Sequence, residues 1–201
     1  MPISILALGD SYTIGEGVPF YQNYPSQLAS TIFQKENQEV QLEVIAKTGW
    51  TTQDLLNELQ ENQTRKSTYS FVFLLIGVNN QYQTKSLEEY KAHLDGLAKF
   101  CSEKASYNSK NIFWISIPDY SVTPFAMEMD KAKIASELTI YNQVFSEYAG
   151  KYQFQMVNIT DISRNLNNDT QMLAEDQLHP SGKMYRAWVD RILPLIKPHI
   201  S

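Results

Sequence analysis

The sequence contains a single cysteine, Cys101, and few positive charges. One thiol cannot form an internal disulfide, and no Cys/His cluster has the spacing of a structural zinc site, so we expect neither a disulfide scaffold nor a metal centre. Lysine and arginine total 17 against 22 acidic residues, which gives a net charge of -5 without a basic block. This balance argues against nucleic acid or an anionic membrane as principal partner and favours a small molecule or a neutral polymer such as a glycan.

Long hydrophobic runs are also missing. The longest apolar stretch, residues 71–78, is far below the roughly 18 residues that indicate a membrane span. The N-terminus lacks the basic region that opens a signal peptide. We therefore expect a soluble, cytoplasmic protein, although a chain whose leader had been removed would look the same.

Short apolar segments alternate with amphipathic ones along the 201 residues. Five strand candidates are rich in β-branched, aromatic or leucine residues: residues 3–8, 42–46, 71–76, 111–117 and 154–158. Helical patterns lie between and after them, at about 24–34, 52–61, 86–101, 131–148 and 182–196. The alternation predicts an α/β protein with three layers, α/β/α, around a five-stranded parallel sheet whose third strand is central. We expect residues 1–201 to form one domain.

Glycines and polar residues follow the ends of the first three predicted strands. Because the carboxyl ends of parallel strands lie at one edge of the sheet, these segments should meet in one crevice. A fourth segment precedes the last predicted helix and could reach the same place. The four segments are Gly9-Asp10-Ser11-Tyr12, Lys47-Thr48-Gly49-Trp50, Gly77-Val78-Asn79-Asn80 and Asp176-Gln177-Leu178-His179.

Together these segments contain the groups that acyl transfer requires. Ser11 would be the nucleophile, and because a free hydroxyl is a poor nucleophile it needs a base, for which His179 is the candidate. Asp176 could hold the other ring nitrogen of His179 and stabilise the positive charge that develops there. The backbone amides of Ser11 and Gly49 and the side-chain amide of Asn79 could donate hydrogen bonds to the oxyanion.

In content and order the four segments resemble the blocks of the GDSL, or SGNH, hydrolase superfamily. That family is named for Ser, Gly, Asn and His residues, which correspond here to Ser11, Gly49, Asn79 and His179. The resemblance covers nearly the whole chain. It implies a flavodoxin-like sheet with strand order 2-1-3-4-5, and hydrolysis of an ester by a Ser-His-Asp triad without a metal ion or cofactor.

Two positions depart from the family pattern. Tyr12 stands where the family commonly has Leu, and Asn80 stands where it usually has Asp. An amide keeps the hydrogen-bonding capacity of a carboxylate but loses its charge. We therefore expect Asn80 to change the support of its loop rather than the chemistry.

The substrate pocket and the substrate are less well defined by the sequence. Aromatic and polar side chains near the predicted strand ends could line the pocket, although ordinary core and loop packing would also explain them. Residues 118–129 could form a partial lid. Short-chain acyl esters, lysophospholipids, acyl thioesters and acetylated sugars all remain candidates. The possible pocket residues are Tyr12, Trp50, Asn80, Gln81, Tyr82, Tyr120 and Phe125.

Other interpretations remain open at this point. Asp10 suits a turn-bracing role, Ser181 could cap the last helix, and Asp119 could compete with Asp176 as the carboxylate. His93 and His199 are weaker candidates for the base, because neither lies in such a motif. The alternative function is a non-catalytic carbohydrate- or acyl-group-binding domain on the same fold. A flavodoxin-like nucleotide-binding module is disfavoured because no glycine-rich phosphate loop follows the first strand. The oligomeric state is open.

Overall fold

The computed structural model describes residues 2–166 and 169–200. Its strands are β1 Ile3–Gly9, β2 Val40–Ala46, β3 Phe71–Leu75, β4 Ile112–Ile115 and β5 Gln155–Val157. All neighbouring pairs are parallel, and the five strands form one sheet in the order β2-β1-β3-β4-β5. The predicted parallel sheet, its flavodoxin-like order and its central third strand are confirmed.

The α-helices of the described residues are α1 Ser11–Ile14, α2 Tyr24–Glu36, α3 Thr52–Glu61, α4 Val78–Tyr82, α5 Leu87–Lys104, α6 Lys131–Lys151, α7 Thr160–Arg164 and α8 Gly182–Ile196. The five longer helices correspond to the predicted patterns, whereas no pattern predicted the short helices α1, α4 and α7. Helix α2 packs against α8, while α5 packs against α3 and α6. Connections between parallel strands are right-handed, and the chain reverses direction across the sheet after β2. The two groups of helices therefore cover opposite faces, which confirms the α/β/α layers.

The hydrophobic core lies along the three inner strands. Every residue of β1, β3 and β4 is buried, whereas the edge strands β2 and β5 are only partly buried. Strands covered on both faces require apolar residues at successive positions, which explains the uninterrupted run Phe71–Leu75. Aromatic side chains from the helix layer complete the packing, for example Phe145, whose ring stacks on Trp114 with 4.5 Å between centroids.

Strand β4 is shorter than the predicted 111–117, for a reason that lies elsewhere in the chain. The side chain of Asn142, on α6, accepts a hydrogen bond from the Ile117 amide at 2.7 Å and donates to the Ile117 carbonyl at 2.9 Å. These contacts replace the partners that a neighbouring strand would provide. The last backbone hydrogen bond to β5 comes from the Ser116 amide, at 2.9 Å from the Val157 carbonyl, and the helix side chain satisfies the next residue.

The sheet order reverses between β1 and β3, and the chain leaves these two strands toward opposite sides. This arrangement opens a crevice at their carboxyl ends, where α/β sheets commonly bind ligands. The loops after β1, β2 and β3 therefore meet there. Among the residues that the structure describes, no helix is long and apolar enough to cross a membrane.

Candidate active site

Ser11 is the first residue of α1, directly after β1. The carboxylate of Asp10 caps this one-turn helix, because its Oδ1 accepts a hydrogen bond from the Tyr12 amide at 3.0 Å. Such a cap satisfies an amide that lacks a partner within the helix. Ser11 is 5% exposed and lines a cleft at the carboxyl edge of the sheet. The local sequence thus holds one hydroxyl at the end of a buried strand.

Asp176 and His179 lie in a tight turn before α8. Oδ1 of Asp176 accepts hydrogen bonds from the backbone amides of Leu178 and His179, both at 2.9 Å. The His179 carbonyl in turn accepts from the Ala174 amide at 2.8 Å. Ser181 caps α8, as predicted, through bonds from the Lys183 and Met184 amides. The backbone on both sides of His179 is therefore held in place.

A continuous hydrogen-bond chain joins Asp176, His179 and Ser11. Oδ2 of Asp176 lies 2.6 Å from Nδ1 of His179, and Nε2 of His179 lies 3.0 Å from Oγ of Ser11. Partial burial alone would raise the pKa of Asp176, but the hydrogen bonds from the His179 ring and from the two backbone amides outweigh it, so the pKa is lowered. Asp176 is therefore an anion at neutral pH, which suits it to orient the ring and to stabilise positive charge on it.

Gly17 lets the loop after α1 approach this chain of residues. Its φ is +79°, and a Cβ there would lie 2.9 Å from Cβ of Ala174 and 3.1 Å from Oδ2 of Asp176. Any other residue would be strained by the backbone conformation and would collide with the Asp176 turn. Both the positive φ and the close approach therefore require a glycine at this position.

The three suggested oxyanion donors surround the same cleft. Ser11, Gly49 and Asn79 all line it, and the backbone amides of Ser11 and Gly49 have no hydrogen-bond partner among the described residues. Asn79 donates one amide hydrogen to the Trp50 carbonyl at 2.9 Å. Its second amide hydrogen is available to a ligand. The loops after β1, β2 and β3 each contribute one donor.

The cleft has a volume of about 180 Å³, and its wall is largely apolar. Of the predicted pocket residues, the structure brings Tyr12, Tyr82, Tyr120 and Phe125 to the lining but not Trp50, Asn80 or Gln81. Sequence reasoning missed Thr48, Val78 and Leu178. The complete lining is Ser11, Tyr12, Thr48, Gly49, Val78, Asn79, Tyr82, Tyr120, Phe125, Leu178 and His179. Each missed residue directly precedes a motif residue in the sequence, and this position could have predicted that it lies at the cleft.

The three predicted residues outside the lining have other contacts. The Trp50 side chain packs against the hydrophobic core. Gln81 is buried and links two elements, since it donates to Glu137 at 2.8 Å and accepts from the Tyr120 hydroxyl at 2.9 Å. Asn80 is 2% exposed and directs its amide away from the cleft toward Thr52. None of the three lines the cleft in this structure, and their role in binding substrate stays a prediction.

The alternative carboxylate, Asp119, and the alternative bases, His93 and His199, lie outside this hydrogen-bond chain. Asp119 accepts a hydrogen bond from Nε of Arg164 at 2.8 Å, and Nδ1 of His93 lies 3.0 Å from the Thr52 hydroxyl. His199 lies in a short 3-10 helix after α8. Only His179 contacts Ser11 among the histidines of the described residues. Among the described residues, no group of three His, Cys, Asp or Glu side chains is placed to hold a metal ion.

The segment suggested as a lid is anchored at its start and exposed at its end. Two short 3-10 helices, Tyr120–Val122 and Pro124–Ala126, follow β4. Asp119 and Tyr120 are buried, whereas Met127 is 66% exposed. The Phe125 amide donates to the Gln177 carbonyl at 3.4 Å, close to the His179 turn. Only its last three residues, 127–129, are all exposed, and the role of the segment as a lid stays a prediction.

The chain is similar to known proteins over most of its length. The model of the GDSL-like lipase/acylhydrolase family matches residues 7–187, a range that contains Ser11, Gly49, Asn79 and His179. The protein YpmR of Bacillus subtilis (strain 168), described as uncharacterized, is 25% identical over 212 residues, which cover 97% of this chain and 82% of that protein.

Solved structures show the same fold. The crystal structure of TesA has a TM-score of 0.75 at 15% identity and covers 98% of this chain and 99% of its own. Axe2, an acetylxylan esterase from Geobacillus stearothermophilus, has a TM-score of 0.74 at 18% identity and covers 96% of this chain and 94% of its own. At these identities the likeness is one of fold alone. Because the family model matches most of the chain and contains all four motif segments, the chain belongs to the GDSL-like lipase/acylhydrolase family and is an enzyme that hydrolyses ester bonds.

Proposed function

We propose that the protein hydrolyses a carboxylic ester through an acyl-enzyme on Ser11, with His179 as the general base and Asp176 as its orienting partner. The observation that carries the proposal is the chain of hydrogen bonds at 2.6 Å and 3.0 Å from Asp176 through His179 to Ser11. A nucleophile, a base and an orienting group within hydrogen-bond reach are what covalent catalysis by a serine requires.

In the first step, Oγ of Ser11 attacks the ester carbonyl carbon while its proton moves to Nε2 of His179. The carbonyl oxygen gains the negative charge and accepts hydrogen bonds from the amides of Ser11 and Gly49 and from the side chain of Asn79. Asp176, an anion, stabilises the positive His179 ring. The ring then gives its proton to the leaving alcohol, and the ester bond breaks to leave the acyl group on Ser11.

In the second step, water replaces the alcohol. Nε2 of His179 takes a proton from the water as its oxygen attacks the acyl carbon, and the same three donors hold the oxyanion. When the intermediate collapses, His179 returns this proton to Oγ of Ser11 and the carboxylic acid leaves. Both steps use the same groups, because the base of one half-reaction is the acid of the other.

The wall of the cleft supports a small, uncharged acyl group as the part of the substrate bound beside Ser11. Apart from the reacting groups and Thr48, the lining consists of Tyr12, Val78, Tyr82, Tyr120, Phe125 and Leu178. Burial raises the pKa of Tyr120 to about 12, so its phenol stays neutral. A volume of about 180 Å³ is below the roughly 300–1,000 Å³ of sites for drug-sized ligands. We therefore propose a short-chain acyl ester of a small alcohol or glycan.

The test compares wild type, Ser11→Ala and Ser26→Ala on p-nitrophenyl acetate, butyrate and octanoate. Ser26 is a matched control, because the structure gives its half-buried hydroxyl no partner within the described residues. We expect Ser11→Ala to lose roughly 10⁴-fold or more in kcat, and Ser26→Ala to keep the wild-type rate. Acetate or butyrate should be hydrolysed with higher kcat/KM than octanoate.

A serine-reactive phosphonate followed by mass spectrometry tests the nucleophile independently. The adduct should lie on the peptide containing Ser11 and should be absent from Ser11→Ala. Equal esterase rates of wild type and Ser11→Ala would contradict the proposal and favour the alternative, a non-catalytic binding domain.

A further inference from the structure

Asn80 and Thr52 form a two-point contact behind the cleft. The Thr52 amide donates to Oδ1 of Asn80 at 3.0 Å, and Nδ2 of Asn80 donates to the Thr52 hydroxyl at 2.8 Å. Because a backbone amide can only donate, the atom facing it must be the oxygen of Asn80. The orientation of the Asn80 amide is therefore determined by its partners, and the Thr52 hydroxyl must accept from Nδ2.

His93, on α5, extends this contact by one more hydrogen bond. Its Nδ1 lies 3.0 Å from the Thr52 hydroxyl. Thr52 is fully buried, and its hydroxyl hydrogen has no other acceptor among the described residues. A buried donor without a partner is costly, so the hydroxyl donates to His93. Nδ1 is then the unprotonated nitrogen, and Nε2 carries the hydrogen.

The chain of Asn80, Thr52 and His93 joins the two loops that carry oxyanion donors. Thr52 follows Gly49 by three residues, and the carbonyl of the intervening Trp50 accepts the hydrogen bond from Asn79. Asn79 and Asn80 are neighbours on α4. Each asparagine thus ties the loop after β2 to the turn after β3, and Gln83, directly after α4, adds a third tie by donating to the Gly49 carbonyl at 3.2 Å.

We propose that His93 is a positioning residue for ester hydrolysis: through Thr52 and Asn80 it holds the Gly49 and Asn79 donors at the spacing the oxyanion requires. The inference rests on the function proposed above, because it assumes that these two groups bind the oxyanion. His93 does not line the cleft, and its hydrogen bond within the described residues goes to Thr52. Its effect is carried entirely by hydrogen bonds through other residues.

The surroundings of His93 keep its ring neutral. Charged groups face the same polar depression from three elements: Asp54 from α3, Glu89 from α5 and Lys85 from the segment before α5. Burial lowers the pKa of His93, and Glu89 opposes this effect only in part. A neutral His93 ring whose Nδ1 carries no hydrogen can accept the hydrogen bond that the Thr52 hydroxyl donates.

Asn80→Asp keeps the shape of the side chain but reverses donor and acceptor in the hydrogen bonds that join residue 80, Thr52 and His93. A carboxylate only accepts, so the Thr52 hydroxyl would donate to it and could no longer donate to His93. Nδ1 of His93 would then have to carry a hydrogen and donate to Thr52. The substitution should switch the protonated ring nitrogen of a residue that it does not touch.

Long-range ¹H–¹⁵N correlation spectra of the histidine rings test this reversal directly. In wild type at pH 7.5 we expect an unprotonated Nδ1 and a protonated Nε2 for His93, assigned by comparison with His93→Leu. In Asn80→Asp, Nδ1 should become protonated, while the rings of His179 and His199 keep their wild-type signals. A protonated Nδ1 in wild type, or an unchanged His93 in Asn80→Asp, would overturn the inference.

Kinetics test the consequence for catalysis. His93→Leu and Thr52→Val each remove the hydrogen bond between α5 and α3, so each should lower kcat about 3- to 10-fold with KM unchanged. Thr52→Val also removes the acceptor of Nδ2 of Asn80, so its loss should be the larger one. The double variant should lose no more than Thr52→Val, because that change already removes the hydrogen bond that His93→Leu breaks. His93→Asn keeps an acceptor near the position of Nδ1 and should recover most of the activity. His199→Asn is the control for loss of a histidine.

The outcomes separate this inference from the function on which it rests. Wild-type turnover in His93→Leu, together with an inactive Ser11→Ala, would overturn the role of His93 alone. A wild-type rate in Ser11→Ala would overturn the proposed function and this inference with it. Thermal unfolding of each variant confirms that the assays measure folded protein; a lower Tm with unchanged kcat and KM would assign His93 a purely structural role.

Discussion

Asp10 carries a fully buried carboxyl group one residue before Ser11. Its Oδ1 caps α1, but its Oδ2 has no hydrogen-bond partner within the described residues. Burial raises the pKa from its usual 3.8 to about 7, although backbone hydrogen bonds at Tyr12 and at Asp10 itself lower it in part. Near pH 5 the folded protein therefore keeps a proton that the unfolded chain has released.

This proton makes stability depend on pH. Because the folded state binds more protons than the unfolded state between about pH 4 and 7, the contribution of Asp10 to the free energy of unfolding falls as pH rises through that window. Asn at this position keeps the capping oxygen and cannot ionise. We expect Asp10→Asn to gain stability relative to wild type between pH 5 and pH 8, measured by urea unfolding at both values. A difference between the two proteins that is the same at both pH values would contradict the assignment.

Helix α3 begins with a capping box that lies next to the cleft. The Thr51 hydroxyl accepts from the Asp54 amide at 3.3 Å, and the Asp54 carboxylate accepts from the Thr51 amide at 2.8 Å. Helix α5 begins with an equivalent box between Ser86 and Glu89. The two boxes differ in position, because Thr51 lies between Trp50 and Thr52, whose contacts tie the oxyanion loops together.

Thr51→Ala and Ser86→Ala form a matched pair. Each removes the side-chain oxygen that caps a helix, so each should cost about 1 kcal/mol of stability. Only Thr51→Ala should also lower kcat, by a few fold, because Thr51 lies between Trp50 and Thr52, whose hydrogen bonds tie the oxyanion loops together. Urea unfolding and p-nitrophenyl acetate kinetics measure the two effects. Equal kcat in the two variants would show that the cap does not influence the cleft.

The sequence predicted the long helices and the strands but not the end of β4 or the short helices. Periodicity predicted the long helices and all five strands, because burying one face or both faces requires apolar residues at regular spacing. It could not predict the end of β4, which depends on Asn142 from a helix far along the chain. Nor could it predict α1 and α4, which are too short to show a period.

The whole molecule is stabilised chiefly through its inner strands. Leu74 lies in β3 between Leu8 and Trp114 and is fully buried, whereas Leu42 lies in the edge strand β2 and is half-buried. Truncation in a closed core removes apolar contacts and leaves a cavity. The cost of a leucine should therefore depend on the place of its strand in the sheet.

Leu74→Ala should lower the free energy of unfolding by about 2–5 kcal/mol, and Leu42→Ala by clearly less. Urea unfolding followed by circular dichroism measures both. Equal losses would show that β2 contributes to the core as much as β3 does. A single transition in wild type would agree with one domain over residues 1–201, which stays a prediction.

The sequence by itself determined the fold class, the strand order through the family resemblance, and the residues that meet around Ser11. The fold class and the meeting of these residues follow from local signals, since apolar runs mark buried strands and polar residues at their ends mark the edge of a parallel sheet. The tertiary structure decided which side chains face the cleft. Trp50, Asn80 and Gln81 do not line it, whereas Thr48, Val78 and Leu178 do.

The hydrogen bond of His93 to Thr52 also depends on tertiary structure, because it joins residues 41 positions apart in sequence. Side-chain direction and long-range partners depend on how α3, α4 and α5 pack. Spacing along the chain carries no record of that packing.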